Sequence, residues 1–531
     1  MIREKSWLTE LRRGLTLAMC LLLVLLAPAC QLGYSTDFPL LPTGQAMPSG
    51  SQASGETTQN ANVSQQSLRL ALPVGDKALP LLRLLYLAKK SGLLKQESGQ
   101  YIGQRIDLEE LQQFDSGLKL HLETVPLASG ATREQLTAWQ AAANMPDIVY
   151  CQNAAASVGL SAFRNLASYL YSNRLMAASH IYASVLDSVR VGDAIYGVPY
   201  LASTPLIIMN QTMLSQFTVS QPITNWSWVD WRNLISQIQQ AIRKSGLAAD
   251  QQLLASLAAD PENLAIALGK AEFVLEDPSE LLTYLPASLS LDAGWAAWNG
   301  TAFDYAGANF SRAALWLQQA LPDGSSLLLL DAAQKKTAFP NQTISQSARI
   351  LMRIGDSTEL SAWQEQKTFQ VTAYLMPAGP TEPAANAADV SKTDLLLSQR
   401  LPLKVRSLLV SQHCRDVALA ADLAAFLALD ADALLMQCRY QTFDGLVPVV
   451  RDNLVWQTMV YGQRNGQVLA LLQARMPQAY CSGQQLFSRW DSIIKAAIGQ
   501  SGPQLLTASD PTAFAVMLAQ LIAAAQNARE G

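Results

Sequence analysis

Eleven tryptophans stand in a chain that holds only three histidines, and most of them follow residue 225. A flat aromatic ring packs well against the apolar C–H face of a sugar, while carboxylates and amides fix its hydroxyls. Gly294 and Asn299 flank Trp295 and Trp298 in a polar, turn-like segment, which makes Trp295 a candidate ligand-facing ring. Trp363, one loop beyond Gly355, and Trp456 are two more. Trp226, Trp228 and Trp231 sit at helical spacing beside a capping serine and read as packing residues.

Bond-breaking chemistry has no comparable signature. The chain contains no G-x-S-x-G elbow, no Walker loop and no H-E-x-x-H. Ser492-Ile493-Ile494-Lys495 has the S-x-x-K spacing without its partner motifs and reads as an ordinary helical turn. His121, His180 and His413 are far apart. Glycoside hydrolysis needs two carboxylates about 5 to 9 Å apart, and nothing in the sequence marks such a pair. We therefore expect no catalytic residue, no metal and no cofactor. Of six cysteines, Cys151, Cys414, Cys438 and Cys481 lie in the body of the chain, with no C-x-x-C spacing. In an oxidising compartment they allow up to two disulfides, in three connectivities.

The N-terminus reads as a targeting segment. Arg3, Lys5, Arg12 and Arg13 precede an apolar run from Leu15 to Leu26, too short for a comfortable membrane span. Ala27-Pro28-Ala29-Cys30 resembles a bacterial lipoprotein processing site, which makes Cys30 the expected lipidated residue and residues 1–29 a signal peptide. Residues 30–67 are rich in Ser, Gln, Thr, Gly, Asn and Pro and read as a flexible tether. The expected location is extracytoplasmic, anchored to the cell membrane. The net charge of −4 becomes about −6 without the basic signal, which argues against a nucleic-acid partner. No later segment runs to 18 apolar residues without interruption.

The elements that must position these side chains alternate in type. Ser67–Leu72 and the strictly alternating Leu118–Glu123 read as strands, with a helix over Leu79–Ser91 between them. Thr132 caps a helix to Ala143, and Pro146-Asp147 opens a third strand through Tyr150. Strand, helix, strand, helix, strand is the rhythm of a parallel sheet. Gly192-Asp193 is a turn signal, followed by two apolar runs split at Pro199 and ended by Asn210. The chain exceeds what one core usually supports, so two lobes are expected.

Seven passages resemble, in order, those of bacterial extracellular solute-binding proteins of the ABC-importer kind. They are Pro146–Tyr150, Gly192–Leu214, Thr224–Trp231, Phe339–Gly355, Val371–Gly379, Arg415–Met436 and Gly445–Asp452, with residues 245–292 standing as an insertion. The resemblance implies a two-lobed α/β fold of type II, each lobe a mainly parallel sheet flanked by helices, joined by crossing strands. Residues 68–203 with 376–440 would form the N-terminal lobe, and 204–375 with 441–531 the C-terminal lobe. By position it nominates Gln152, Asn153, Ser203, Thr204, Asp356 and Ser357 as ligand-binding, with Tyr200 and Tyr284 as further candidates. It implies a monomer that captures a small solute, in the first place a carbohydrate, and passes it to ABC permease subunits. A sensory or adhesion lipoprotein on the same scaffold and a surface polysaccharide hydrolase are the rival readings.

Overall fold

The alternation of strands and helices organises the chain around two large sheets, beside two small two-stranded ones. The structure, a computed structural model, describes residues 66–91, 120–290, 307–379 and 400–481 and single positions between 513 and 524. Short stretches within those ranges are excepted (74–76, 128–129, 152–157, 178–179, 223–225, 250, 322–326, 328–329, 341–346, 366–367, 441–442 and 462–465). The expected signal, Cys30 and nearly all of the tether lie outside the described residues. No described helix is long and apolar enough to cross a membrane.

In chain order, β1 (Gln66–Leu72), α1 (Ala78–Lys90), β2 (Leu120–Pro126), α2 (Arg133–Ala141) and β3 (Ile148–Cys151) come first. A short helix, α3 (Ala167–Leu170), and a hairpin of β4 (Arg190–Val191) and β5 (Ala194–Ile195) precede β6 (Val198–Ser203). Thr204 alone separates β6 from β7 (Pro205–Asn210). The principal elements that follow are α4 (Trp228–Lys244), α5 (Pro261–Lys270), β8 (Phe273–Leu275), α6 (Ala308–Ala320), β9 (Ile350–Asp356) and β10 (Val371–Leu375). The last third holds β11 (Leu401–Pro402), β12 (Lys404–Val410), α7 (Val417–Leu429) and α8 (Ala431–Tyr440). It ends with β13 (Val447–Pro448), α9 (Asn453–Tyr461), α10 (Gly466–Arg475) and β14 (Ala479–Tyr480).

The first sheet has the order β13-β6-β12-β3-β1-β2 and the second the order β10-β7-β9-β8. β6 and β7 are buried along their whole lengths, as their nearly continuous apolar sequence requires. Two large cores result, one around the first sheet and one around the second, with a smaller cluster about Phe273 and Phe339. The second core is organised by α4. Ser227 and Asp230 close a capping box at its start, and Arg243 and Lys244 complement the dipole at its end. Trp228, Trp231, Ile235, Ile238 and Ile242 form its buried stripe.

Several expectations change in detail. β1 pairs in parallel with β2 and β3, but β12 runs antiparallel to β3 and β6, and β13 antiparallel to β6. β7 is likewise antiparallel to β9 and β10. The sheets are mixed rather than mainly parallel because β6 leads out of the first sheet while β12 follows the return of the chain and takes the opposite direction. The stretch after residue 441 does not go to the second lobe as a block. β13 joins the first sheet, and Val455, Trp456, Leu469 and Leu472 enter the first core. Tyr480 is the first residue of this stretch to join the second core, with Met517 and Leu521 packed against it. Within the expected insertion, β8 is an integral strand that pairs in parallel with β9. The passage Arg415–Met436, which resembles a long helix of the family, is divided between two helices. Asp430 divides them, and its Oδ1 accepts from the N–H groups of Asp432 and Ala433 at the start of α8. Cys151, Cys414, Cys438 and Cys481 are free thiols, and burial pushes those of Cys414 and Cys438 up to about 12.

Candidate functional site

Where the chain passes between sheets, four of the nominated residues meet. Ser203 ends β6, Thr204 is the passage itself, Asp356 ends β9, and Ser357 follows it. Pro205 is the partner of Asp356 in the β7–β9 register, so the first passage and the end of β9 lie side by side. The Ser357 N–H donates to the Thr204 carbonyl at 2.9 Å, and the Thr204 N–H donates to Ser357 Oγ at 3.2 Å. Ser203 Oγ donates to Asp356 Oδ2 at 3.1 Å, and Thr204 Oγ1 to the Pro402 carbonyl at 2.9 Å. Ser203, Thr204 and Ser357 are fully buried, so these are bonds shielded from competing water.

Two residues that the sequence reading missed complete the cluster. Lys404, the first residue of β12, places Nζ 3.0 Å from Asp356 Oδ2 and joins the start of β12 in the first sheet to the end of β9 in the second. Burial pushes the Asp356 carboxyl up, but the Lys404 ammonium and the N–H and hydroxyl of Thr358 outweigh it and hold the carboxyl below its usual range. Gly445 accepts from Ser357 Oγ at 2.5 Å through its carbonyl. Its φ of +66° favours glycine, and a Cβ there would stand 1.8 Å from the Ser357 carbonyl oxygen. The sequence did carry a signal for this position, since Asp444-Gly445 is a turn dipeptide. Nothing local marks Lys404, whose partner is set by the meeting of strands 48 residues apart in the numbering.

The arrangement suits mechanics rather than bond chemistry. Its one carboxylate is neutralised by its one ammonium, and every hydroxyl in the cluster is bonded within it. Among the described residues, no group of three or more His, Cys, Asp or Glu could hold a metal ion.

The other nominated residues are dispersed. Tyr200 is buried in the first core, where its hydroxyl donates to Gln437 Oε1 and its ring meets Tyr150 edge-on at 5.7 Å. Tyr284 is buried in the second core, and its carbonyl accepts from the Tyr480 hydroxyl at 3.3 Å. Trp456 is 0 % exposed, with its indole N–H on the Val450 carbonyl at 2.8 Å. It serves the first core and offers no face to a ligand. Trp363 is half-buried, and the Arg353 guanidinium lies over its ring at 5.0 Å. Gln152, Asn153 and Trp295 lie outside the described residues. Trp226, Trp228 and Trp231 are core residues, as their spacing implied.

With this geometry in place, comparison with known proteins is specific. The family model of the bacterial extracellular solute-binding protein matches residues 111–455. No curated protein matches the chain. An ABC substrate-binding protein from Listeria monocytogenes, solved in complex with cycloalternan, is similar with a TM-score of 0.53 and 11% identity, covering 87% of this chain and 100% of that one. A cyclic alpha-maltosyl-1,6-maltose binding protein from Arthrobacter globiformis gives 0.52 and 11%, covering 86% and 98%. A Mycobacterium tuberculosis protein in complex with glycerophosphocholine gives 0.51 and 13%, covering 88% and 99%. At such identities the likeness is one of fold, and the fold is the two-lobed α/β architecture of periplasmic-binding proteins.

Proposed function

The chain belongs to the bacterial extracellular solute-binding proteins, and from that premise we propose that it captures a sugar or oligosaccharide between two lobes and delivers it to an ABC importer. The observation that carries the reading is the knot of bonds at the passage between sheets. Ser203, Thr204, Asp356, Ser357, Lys404 and Gly445 tie the ends of β6, β9 and β12 to one another, which gives two sheets a short, well-defined pivot. A ligand that touches both lobes binds the closed form better than the open form and shifts the population toward closure. The importer then reads the closed form.

Carbohydrate is the favoured class for two reasons. Similar structures were solved with cycloalternan, maltotetraose and maltose, and the chain is rich in tryptophan. In this reading Gln152, Asn153, Trp295 and Trp363 face the solute, while Asp356 and its neighbours hold the pivot. The protein binds without turnover, acts as a monomer, and is held at the membrane through a lipidated Cys30. Its permease subunits are its protein partners.

A thermal-shift and calorimetric screen of the full chain tests the reading. The probes are maltose, maltotetraose, xylotetraose and glycerophosphocholine. A ligand at about 100 times its dissociation constant should add roughly 2.7 kcal/mol of stability. The expected result is a clear upward shift with one glycan class and no consumption of that glycan. A shift with glycerophosphocholine alone, or with none of the saccharides, would remove the sugar assignment, and glycan consumption would favour a hydrolase.

A further inference from the structure

Away from the pivot, the first lobe carries a cavity that the capture reading does not use. It has a volume of about 400 Å³ and is lined from α1, α3, α7 and residues 172–175, within the range of small-ligand sites. None of its lining residues comes from the second sheet or from the pivot cluster.

The cavity is built in three levels. Its floor is apolar: Tyr86 and Phe426, 4% and 5% exposed, meet edge to face with ring centroids 5.3 Å apart. Its wall is a fixed set of charges. Asp422 Oδ2 accepts from the Tyr86 hydroxyl at 2.6 Å and from Lys90 Nζ at 2.7 Å. Lys89 Nζ bridges Asp430 Oδ1 at 2.6 Å and Asp432 Oδ2 at 2.7 Å. Its rim holds Tyr169, 42% exposed, and Arg174, whose exposed side chain has no hydrogen bond or ion pair among the described residues. Asp422 Oδ1 likewise has no partner among them, and its side chain is 32% exposed.

The chemistry is that of a neutral polyhydroxylated ring. Three cations and two carboxylates line the cavity, and Asp432, buried behind the lining on Lys89, brings these charges into balance, so the site has no large net charge to attract an ion. It nevertheless offers an unused acceptor at Asp422 and an unused fork of donors at Arg174. An exposed phenol ring stands where an apolar C–H face would stack. From this we propose that the flank of the first lobe is a second saccharide site, separate from the inter-lobe cleft. Every contact would come from one lobe. Such a ligand has no preference for the open or closed form and cannot drive closure. The site would hold glycan at the protein without committing it to transport.

Isothermal titration of the full chain with maltotetraose, cellotetraose and xylotetraose decides the matter, run beside Tyr169→Ala/Arg174→Ala. Both positions are exposed, so the variant keeps its fold. The expected result is two equivalents of one probe for the wild type and one for the double variant, with Tyr169→Phe retaining two because the ring remains. Equal stoichiometry in wild type and double variant, including none in either, overturns the flank site. A single wild-type equivalent that the double variant abolishes keeps the flank site and removes the cleft reading. A single equivalent that it retains does the reverse.

Discussion

Gly445 shows how much a single position can hold. Its left-handed backbone and its approach to Ser357 are separate demands, and Gly246 offers a control with only the first. Gly246 has a φ of +73° and nothing within 4 Å of a built Cβ. Gly246→Ala should therefore cost only about 1 kcal/mol, from its backbone conformation. Gly445→Ala adds a collision with backbone at 1.8 Å and should cost several times more in a urea melt while also weakening ligand binding. Equal losses at the two sites would show that the Ser357 contact is dispensable. The same scale shows what sequence makes legible. Ser203, Thr204, Asp356 and Ser357 are nominated as ligand-binding because they end strands, where open α/β sheets gather function, and the structure brings the four together at the passage between sheets. Lys404 was missed because an ion pair between distant strand ends leaves no local pattern. Trp456 was misjudged because an indole beside a strand gives the same sequence signal whether it turns to ligand or to core.

Elements were easier to read than contacts. α4 begins at the capping serine beside the tryptophans, Ser227, and the structure adds Asp230 as its capping-box partner and a buried apolar stripe. Trp228, Trp231 and Trp316 form a three-ring cluster with centroid distances of 5.8 to 6.1 Å. Ser227→Ala removes the cap and should cost about 1 kcal/mol. Trp231→Ala opens a cavity in the cluster and should cost about 3 to 5 kcal/mol. Urea melts followed by tryptophan fluorescence would separate the two, and a larger loss from Ser227→Ala would contradict the packing account. The long apolar stretch over α7 and α8 was harder. Its alanine-rich sequence supports helix throughout, and only the side-chain bond from Asp430 to backbone N–H groups marks the break.

At the scale of the whole molecule, the Asp356–Lys404 pair couples the sheets to pH. The carboxyl titrates lower in the folded protein than its unfolded value of about 3.9. Its contribution is therefore complete above that value and is lost as pH falls through the lower, folded one. Asp356→Asn removes the carboxylate paired with a largely buried ammonium and should cost about 3 kcal/mol. The stability gap between wild type and this variant should hold steady from about pH 8 to 5 and close below about pH 4, within the acid window set by these values. A gap that persists unchanged into strong acid would contradict the ion-pair account. What no local pattern in the sequence marks is that β13, α9 and α10 pack with the first sheet and core, because strand direction and core membership depend on where those elements find room.

β12, which begins at residue 404, lies between β3 and β6 in the middle of the first sheet, although both of those strands precede it by about 200 positions or more. A chain delivered from its N-terminus can thus assemble only an incomplete sheet until its last third arrives, because loop closure over that span must precede the pairing. For a polypeptide that emerges from its N-terminus, the order of strands acts as a timer. The first sheet closes only when its middle strand has arrived.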